Sequence, residues 1–154
     1  MVLQMPIQWR PAMSVGHEGI DADHKSLIAI INEFEASPDF AHAEAAARKL
    51  YRYTEEHFLR EELLQRACGY PTGANHHLEH QGILANLKKI VQRHFLIPGK
   101  SDVAEAISAT TWLMHEWIVD HVVKRDPTMA PFLHRATARD WSAVPLGQRS
   151  HCGL

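Results

Sequence analysis

Two pairs of ligand-type residues flank a helix break. His57 and Glu61 stand four apart, and after Gly69-Tyr70-Pro71 the residues His76 and His80 again stand four apart. On an α-helix, residues i and i+4 lie one above the other on one face. Two helices joined by so short a turn aim both pairs at one volume. The stretch from His57 to His80 therefore constrains how the rest of the chain is placed around it.

Hydrophobic periodicity supplies the surrounding helices. Ile20, His24, Leu27, Ile31 and Phe34 recur at spacings of three and four, with Asp21 as the expected N-cap and a stop before Pro38. Ser37-Pro38 is the expected start of a second helix, whose inner stripe is Leu50, Thr54, His57, Glu61 and Leu64 and whose stop is Gly69. A third helix is predicted from about residue 74 to 95, with His76, His80, Ile83, Leu87, Ile90 and His94 inward. Asp102 and Glu105 make a capping start for the fourth, which carries Ile107, Thr111, Met114, Ile118 and His121 and is expected to end at or just before Asp126 because Pro127 follows.

Short connections between four such helices predict an all-α fold, an antiparallel up-down-up-down four-helix bundle. The expected organisation is an N-terminal arm over 1–20, the bundle over 21–127 and a partly ordered C-terminal tail over 128–154. Trp9 is expected to anchor the arm, and Phe132, Leu133 and Trp141 to dock the tail. The chain of 154 residues suits one domain, and its net charge of −2 gives no basic face for nucleic acid or anionic membrane. No run has the length of a membrane span and the N-terminus lacks a signal-peptide pattern, so cytoplasm is the expected compartment. Cys68 and Cys152 read as free thiols.

Histidine is the compositional outlier, at 12 residues, so one H-x-x-x-H arises by chance and only agreement among several motifs carries weight. That agreement exists. His24, His57, Glu61, His76, His80 and His121 sit where core residues are expected, and Asp126 closes the fourth helix. Any one of these histidines alone reads as an ordinary satisfied core residue. Burying all of the imidazoles and both carboxylates without a common partner costs several kcal/mol, roughly, for each unpaired carboxylate. Metal coordination removes that cost. The ligand set exceeds one tetrahedral zinc and fits two ions sharing both carboxylates, with carboxylates leaning the choice towards iron or manganese. H-E-x-x-H is absent, which argues against a zincin, and so is the Glu-x-x-His of ferritin-like di-iron sites.

In order along the chain, Trp9, Ser14-Val15-Gly16, Ile20-Asp21-x-Asp23-His24-Lys25, His57-Phe58-x-x-Glu61-Glu62, Gly69-Tyr70-Pro71, His76-x-x-x-His80 and Trp117-Ile118-x-x-His121-Val122-x-x-x-Asp126 resemble the bacterial hemerythrin pattern. The resemblance spans roughly residues 9–127. It implies an oxo- or hydroxo-bridged non-haem di-iron centre, with two Fe ions, that binds O2 reversibly. By position, His76, His80 and His121 would hold one iron, His24 and His57 the other, and Glu61 and Asp126 would bridge them. Ile118 and Trp117 match positions beside the O2 pocket. Pro127 departs from the family pattern and biases Asp126 away from the α region.

The implied role is oxygen storage, delivery or sensing rather than enzymatic turnover. A di-iron oxidase, peroxidase or nitric-oxide-handling protein on the same scaffold is the alternative, distinguished by a proton donor and a substrate channel beside the irons. An interaction module reading O2 or redox state through an unidentified protein partner is a third reading.

Overall fold

The computed structural model describes residues 5–97, 99 and 102–134. Four long helical segments pack as a ring: α1 (Glu18–Glu35) against α2 (Phe40–Cys68), α2 against α3 (Gly73–Phe95), α3 against α4 (Val103–Leu113), and α4 back against α1. Chain neighbours are spatial neighbours, so the bundle is up-down-up-down, as the short connections predicted. No strand occurs among the described residues.

Local chemistry sets the ends. His17, not Asp21, caps α1 by accepting from the Ile20 N–H, and Asp21 instead lies in the first turn. There its carboxylate accepts from Val15 N–H at 2.9 Å and Ser14 Oγ at 2.5 Å, tying down the arm. Ile7 exchanges two 2.9 Å hydrogen bonds with the Asn32 amide, and Lys25 lies over the Trp9 ring, so the arm is anchored along α1. Asp39 caps α2 in place of the expected Ser37, because its carboxylate reaches the His42 N–H. Gly69 ends α2 at φ +70°, the left-handed position that a Cβ disfavours. Asp102 caps α4 as expected, accepting from Glu105 N–H at 2.7 Å.

The predicted stripes are buried, with two exchanges: Val91 rather than Ile90 is fully inside on α3, Ala106 rather than Ile107 is fully inside on α4, and Ile90 and Ile107 pack at the margin. Leu27, Ile31, Phe34, Leu50, Leu87 and Met114 fill the far half of the bundle. A second, smaller core of Val15, Ile20, Leu64, Cys68, Met129 and Leu133 closes the other end. The polar cluster described below belongs to the same four helices.

The fourth helix departs from expectation. After Leu113 it widens into π-helical turns over Met114–Val119 and His121–Arg125, then tightens to a 3-10 turn over Asp126–Met129 and a helical turn over Ala130–Leu133. Pro127 does not stop it. Asp126 keeps helical angles, φ −61° and ψ −36°, since the missing N–H falls where the wide turn gives way to the tight one. Phe132 and Leu133 dock on the second core, as predicted; Trp141 lies outside the described residues. No described helix is long and apolar enough to cross a membrane.

Candidate metal centre

His24 comes from α1, His57 and Glu61 from α2, His76 and His80 from α3, His121 from the π-helical continuation of α4, and Asp126 from the first position of the 3-10 turn that follows it. All are buried. Their ligand atoms fall into two groups: Glu61, His76, His80, His121 and Asp126, and His24, His57, Glu61 and Asp126, each lying within 4.8 Å of one another. The carboxylates are common to both. Glu61 Oε1 lies 2.8 Å from His76 Nε2 and 3.4 Å from His80 Nε2, while its Oε2 lies 3.4 Å from His57 Nε2. Asp126 Oδ1 lies 3.1 Å from His121 Nε2 and 3.2 Å from His76 Nε2, while its Oδ2 lies 3.0 Å from His24 Nε2.

How Asp126 reaches the cluster follows from the wide turn. Five residues separate it from His121, and its N–H donates to the His121 carbonyl in an i→i+5 bond. A π-turn aligns i with i+5, as an α-turn nearly aligns i with i+4.

The donor set suits metal ions. His24 Nε2, His57 Nε2, Glu61 Oε2 and both Asp126 oxygens are buried yet make no hydrogen bond, despite their proximity. Their lone pairs converge on shared space rather than on one another. Buried polar atoms are rarely left so, and coordination to a cation is one arrangement that satisfies them. The charges agree. Burial raises the Glu61 carboxyl, but the imidazoles of His57, His76 and His80 outweigh it and hold the group well below the ordinary range. Burial and the Glu61 charge raise Asp126, and His121, His24 and His76 outweigh both. Burial lowers His57 and His76, yet Asp23 with Glu61 and Asp126 with Glu61 lift them to about 9 and about 10. Two buried anions thus draw positive charge to this volume.

Outer contacts orient the rings. His80 Nδ1 lies 2.8 Å from Glu62 Oε1, and Phe58 stacks on the His80 ring at 3.7 Å between centroids. Gln65 donates to Glu61 Oε1 at 3.2 Å and touches Met129 Sδ at 2.9 Å. Tyr70 and Thr128 hydroxyls meet at 2.5 Å, joining the Gly-Tyr-Pro turn to the segment beyond Asp126. His57 Nδ1 lies 3.1 Å from Asp23 Oδ2. Sequence reasoning gave no role to Asp23, Arg60, Glu62 or Gln65. Asp23 was visible as a carboxylate at helical spacing between Ile20 and Leu27; Gln65 was visible only as the residue one turn beyond Glu61.

A narrow enclosed pocket with room for about one water-sized sphere opens beside His24. Its walls are otherwise apolar and include Met13, Leu27, Ile31, Ile118 and Val122. Ile118, the residue expected over an O2 site, is one of the residues lining this cavity. The side chain of Trp117, the other residue expected there, lies outside the described residues. His17, His42 and His115 stand apart from the cluster: His17 caps α1, His42 pairs with Asp39 at 2.7 Å, and His115 pairs with Glu35 at 2.8 Å.

No family model matches the chain. Among curated proteins it is similar to the bacteriohemerythrin of Ralstonia nicotianae, at 29% identity over 129 residues, covering 82% of this chain and 88% of that protein. It is also similar to the myohemerythrin of Theromyzon tessulatum, at 26% identity, covering 79% and 88%. Among solved structures, wild-type hemerythrin superposes with a TM-score of 0.68 at 25% identity, covering 82% of this chain and 97% of the other. A hemerythrin variant reaches 0.69 at 26% identity, covering 84% and 98%. The chain resembles the hemerythrins in sequence and in its four-helix fold.

Proposed function

We propose that this hemerythrin-like chain binds O2 reversibly at a non-haem di-iron centre, in storage, delivery or sensing. One observation carries the reading: each buried carboxylate turns one oxygen to the three-histidine group and the other to the two-histidine group. Glu61 and Asp126 would therefore bridge two ions, with His76, His80 and His121 terminal on one and His24 and His57 on the other. The chemistry that an iron pair supplies when bound is electron donation to O2.

The chain's own residues do the rest. Three histidines would leave less room at one ion than two would at the other, and the apolar pocket lies on the two-histidine side, against His24. Leu27, Ile31, Ile118 and Val122 exclude water and anions from it, while a diatomic molecule needs no hydrogen-bond partner to enter. Among the residues lining this pocket, His24 is the single titratable group. That lining favours a carrier or sensor over a di-iron oxidase or peroxidase, which would need a proton donor at the same place.

Anaerobic reduction of the iron-loaded protein, followed by air titration with iron measured on the same sample, tests the proposal. The expected result is two irons per chain and visible absorption bands that appear with air and vanish on deoxygenation. Two irons with irreversible oxidation would overturn it.

A further inference from the structure

Asp23 is a buried carboxylate one residue before His24, and it points across to α2. Three α2 side chains at helical spacing close on it. Tyr53 donates to Oδ1 at 2.9 Å; His57 Nδ1 lies 3.1 Å from Oδ2; and Arg60 donates to Oδ2 from Nε at 3.1 Å and again from Nη2. Residues 53, 57 and 60 share one face because they stand at i, i+4 and i+7. Arg60 is itself buried, and its guanidinium lies 5.9 Å from the Tyr53 ring centre.

The two sides of the centre are supported differently. On the three-histidine side, His80 leans on Glu62, whose second oxygen takes the exposed His77, and His121 faces Glu79 at 3.7 Å. On the two-histidine side, the Nδ1 of His24 is buried without a hydrogen-bond partner. His57 is the ligand-type residue on that side held through its second nitrogen. We infer that Asp23, charge-compensated by Arg60, is the positioning residue of the two-histidine side, fixing His57 as the Nδ1–H tautomer with Nε2 directed at the metal. The inference rests on the two-metal reading above.

The physical reasons are two. A ligand histidine with a partner on its other nitrogen has its ring plane and tautomer set before metal arrives. An uncompensated carboxylate one residue from His24 would instead be a third buried anion next to Glu61 and Asp126. Arg60 cancels that charge, so Asp23 orients His57 without adding net negative charge to the side that faces the pocket.

Cobalt(II) titration of the metal-free protein, followed by visible absorption, separates the possibilities. The unsubstituted protein is expected to bind two equivalents; fewer would refute the metal-centre reading itself, not this inference. Asp23→Ala should weaken one equivalent by about 10- to 100-fold and leave the other unchanged, the range for loss of an outer hydrogen bond. The weakened equivalent should be the one whose band is lost in His57→Ala. Asp23→Asn keeps an acceptor for the Nδ1–H and should restore most of the affinity. Unchanged affinity of both equivalents in Asp23→Ala overturns the inference, as does equal weakening of both. Should the alanine protein not fold, the asparagine protein decides. Its small loss must fall on the equivalent lost in His57→Ala, and a loss on the other equivalent overturns the assignment.

Discussion

The backbone N–H of Asp126 donates to the carbonyl of His121, five residues earlier. This one wide turn brings the second carboxylate onto the face that already holds His121. With an ordinary α-turn there, a residue five positions on would be rotated by about 140° from His121, since each residue turns the helix by about 100°. The two residues would then face different directions, and the cluster would keep one carboxylate instead of two.

A shared carboxylate and a terminal imidazole should fail differently. Asp126→Ala is expected to weaken both metal equivalents, by more than about 100-fold, beyond the range for outer-shell partners. His57→Ala should weaken one. Iron content per chain after equilibrium dialysis distinguishes them. Identical losses in the two variants would contradict the bridging assignment of Asp126.

Ile118 is 3% exposed and lines the apolar pocket beside His24. Replacing it by alanine should cost about 2–5 kcal/mol of stability, the range for large-to-small core changes. In the iron-loaded protein, the wider pocket should also admit azide faster and shorten the life of the oxygenated form. Stopped-flow azide binding reads this directly; a rate equal to that of the unsubstituted protein would show that Ile118 does not limit entry to the pocket.

Metal-free protein should lose stability as the solution turns alkaline. His57 and His76 titrate at about 9 and about 10 when folded, above the ordinary histidine value. A raised folded value contributes stability that is complete below about pH 6.5 and is lost as pH climbs through 9 to 10. For His57 alone this is on the order of 3 kcal/mol, or about 10 °C in midpoint for a chain of this size. Glu61 and Asp126 are shifted down, so their contribution is present above about pH 4 and disappears in acid. Thermal melts of the metal-free protein at pH 6 and pH 10 test the alkaline limb. Metal displaces those protons, so the loaded protein should show a shallower decline.

Met129 is fully buried and its sulfur meets the Gln65 amide that also donates to Glu61. Met129→Ala should destabilise the fold by about 2–5 kcal/mol. Because Gln65 loses a neighbour, the Glu61 carboxylate should be held less firmly as well. Urea denaturation gives the first effect, and cobalt affinity in native buffer gives the second. A stability loss with unchanged cobalt binding would limit Met129 to packing.

Much of this protein follows from periodicity alone. His24, His57, Glu61, His76, His80 and His121 were legible because helical spacing is a local property: residues three or four apart share a face whatever surrounds them. Pro, Gly and the acidic cap residues marked where those faces end to within a few residues, although His17 and Asp39 took the caps expected of Asp21 and Ser37. Which residues bond across helices is a different matter. Asp23 meets Arg60 across 37 positions of sequence, and Gln65 meets Met129 across 64. Those partnerships depend on how the helices are rotated and how deeply they pack. The turn at Asp126 depends on the same thing. Local rules predicted that Pro127 would end the helix, whereas the packing of Met129 and Leu133 carried it onward and left Asp126 facing inward. Sequence thus determined the four inward faces and their donors. Tertiary packing decided the register between them, and with it which carboxylate oxygen faces which group of histidines.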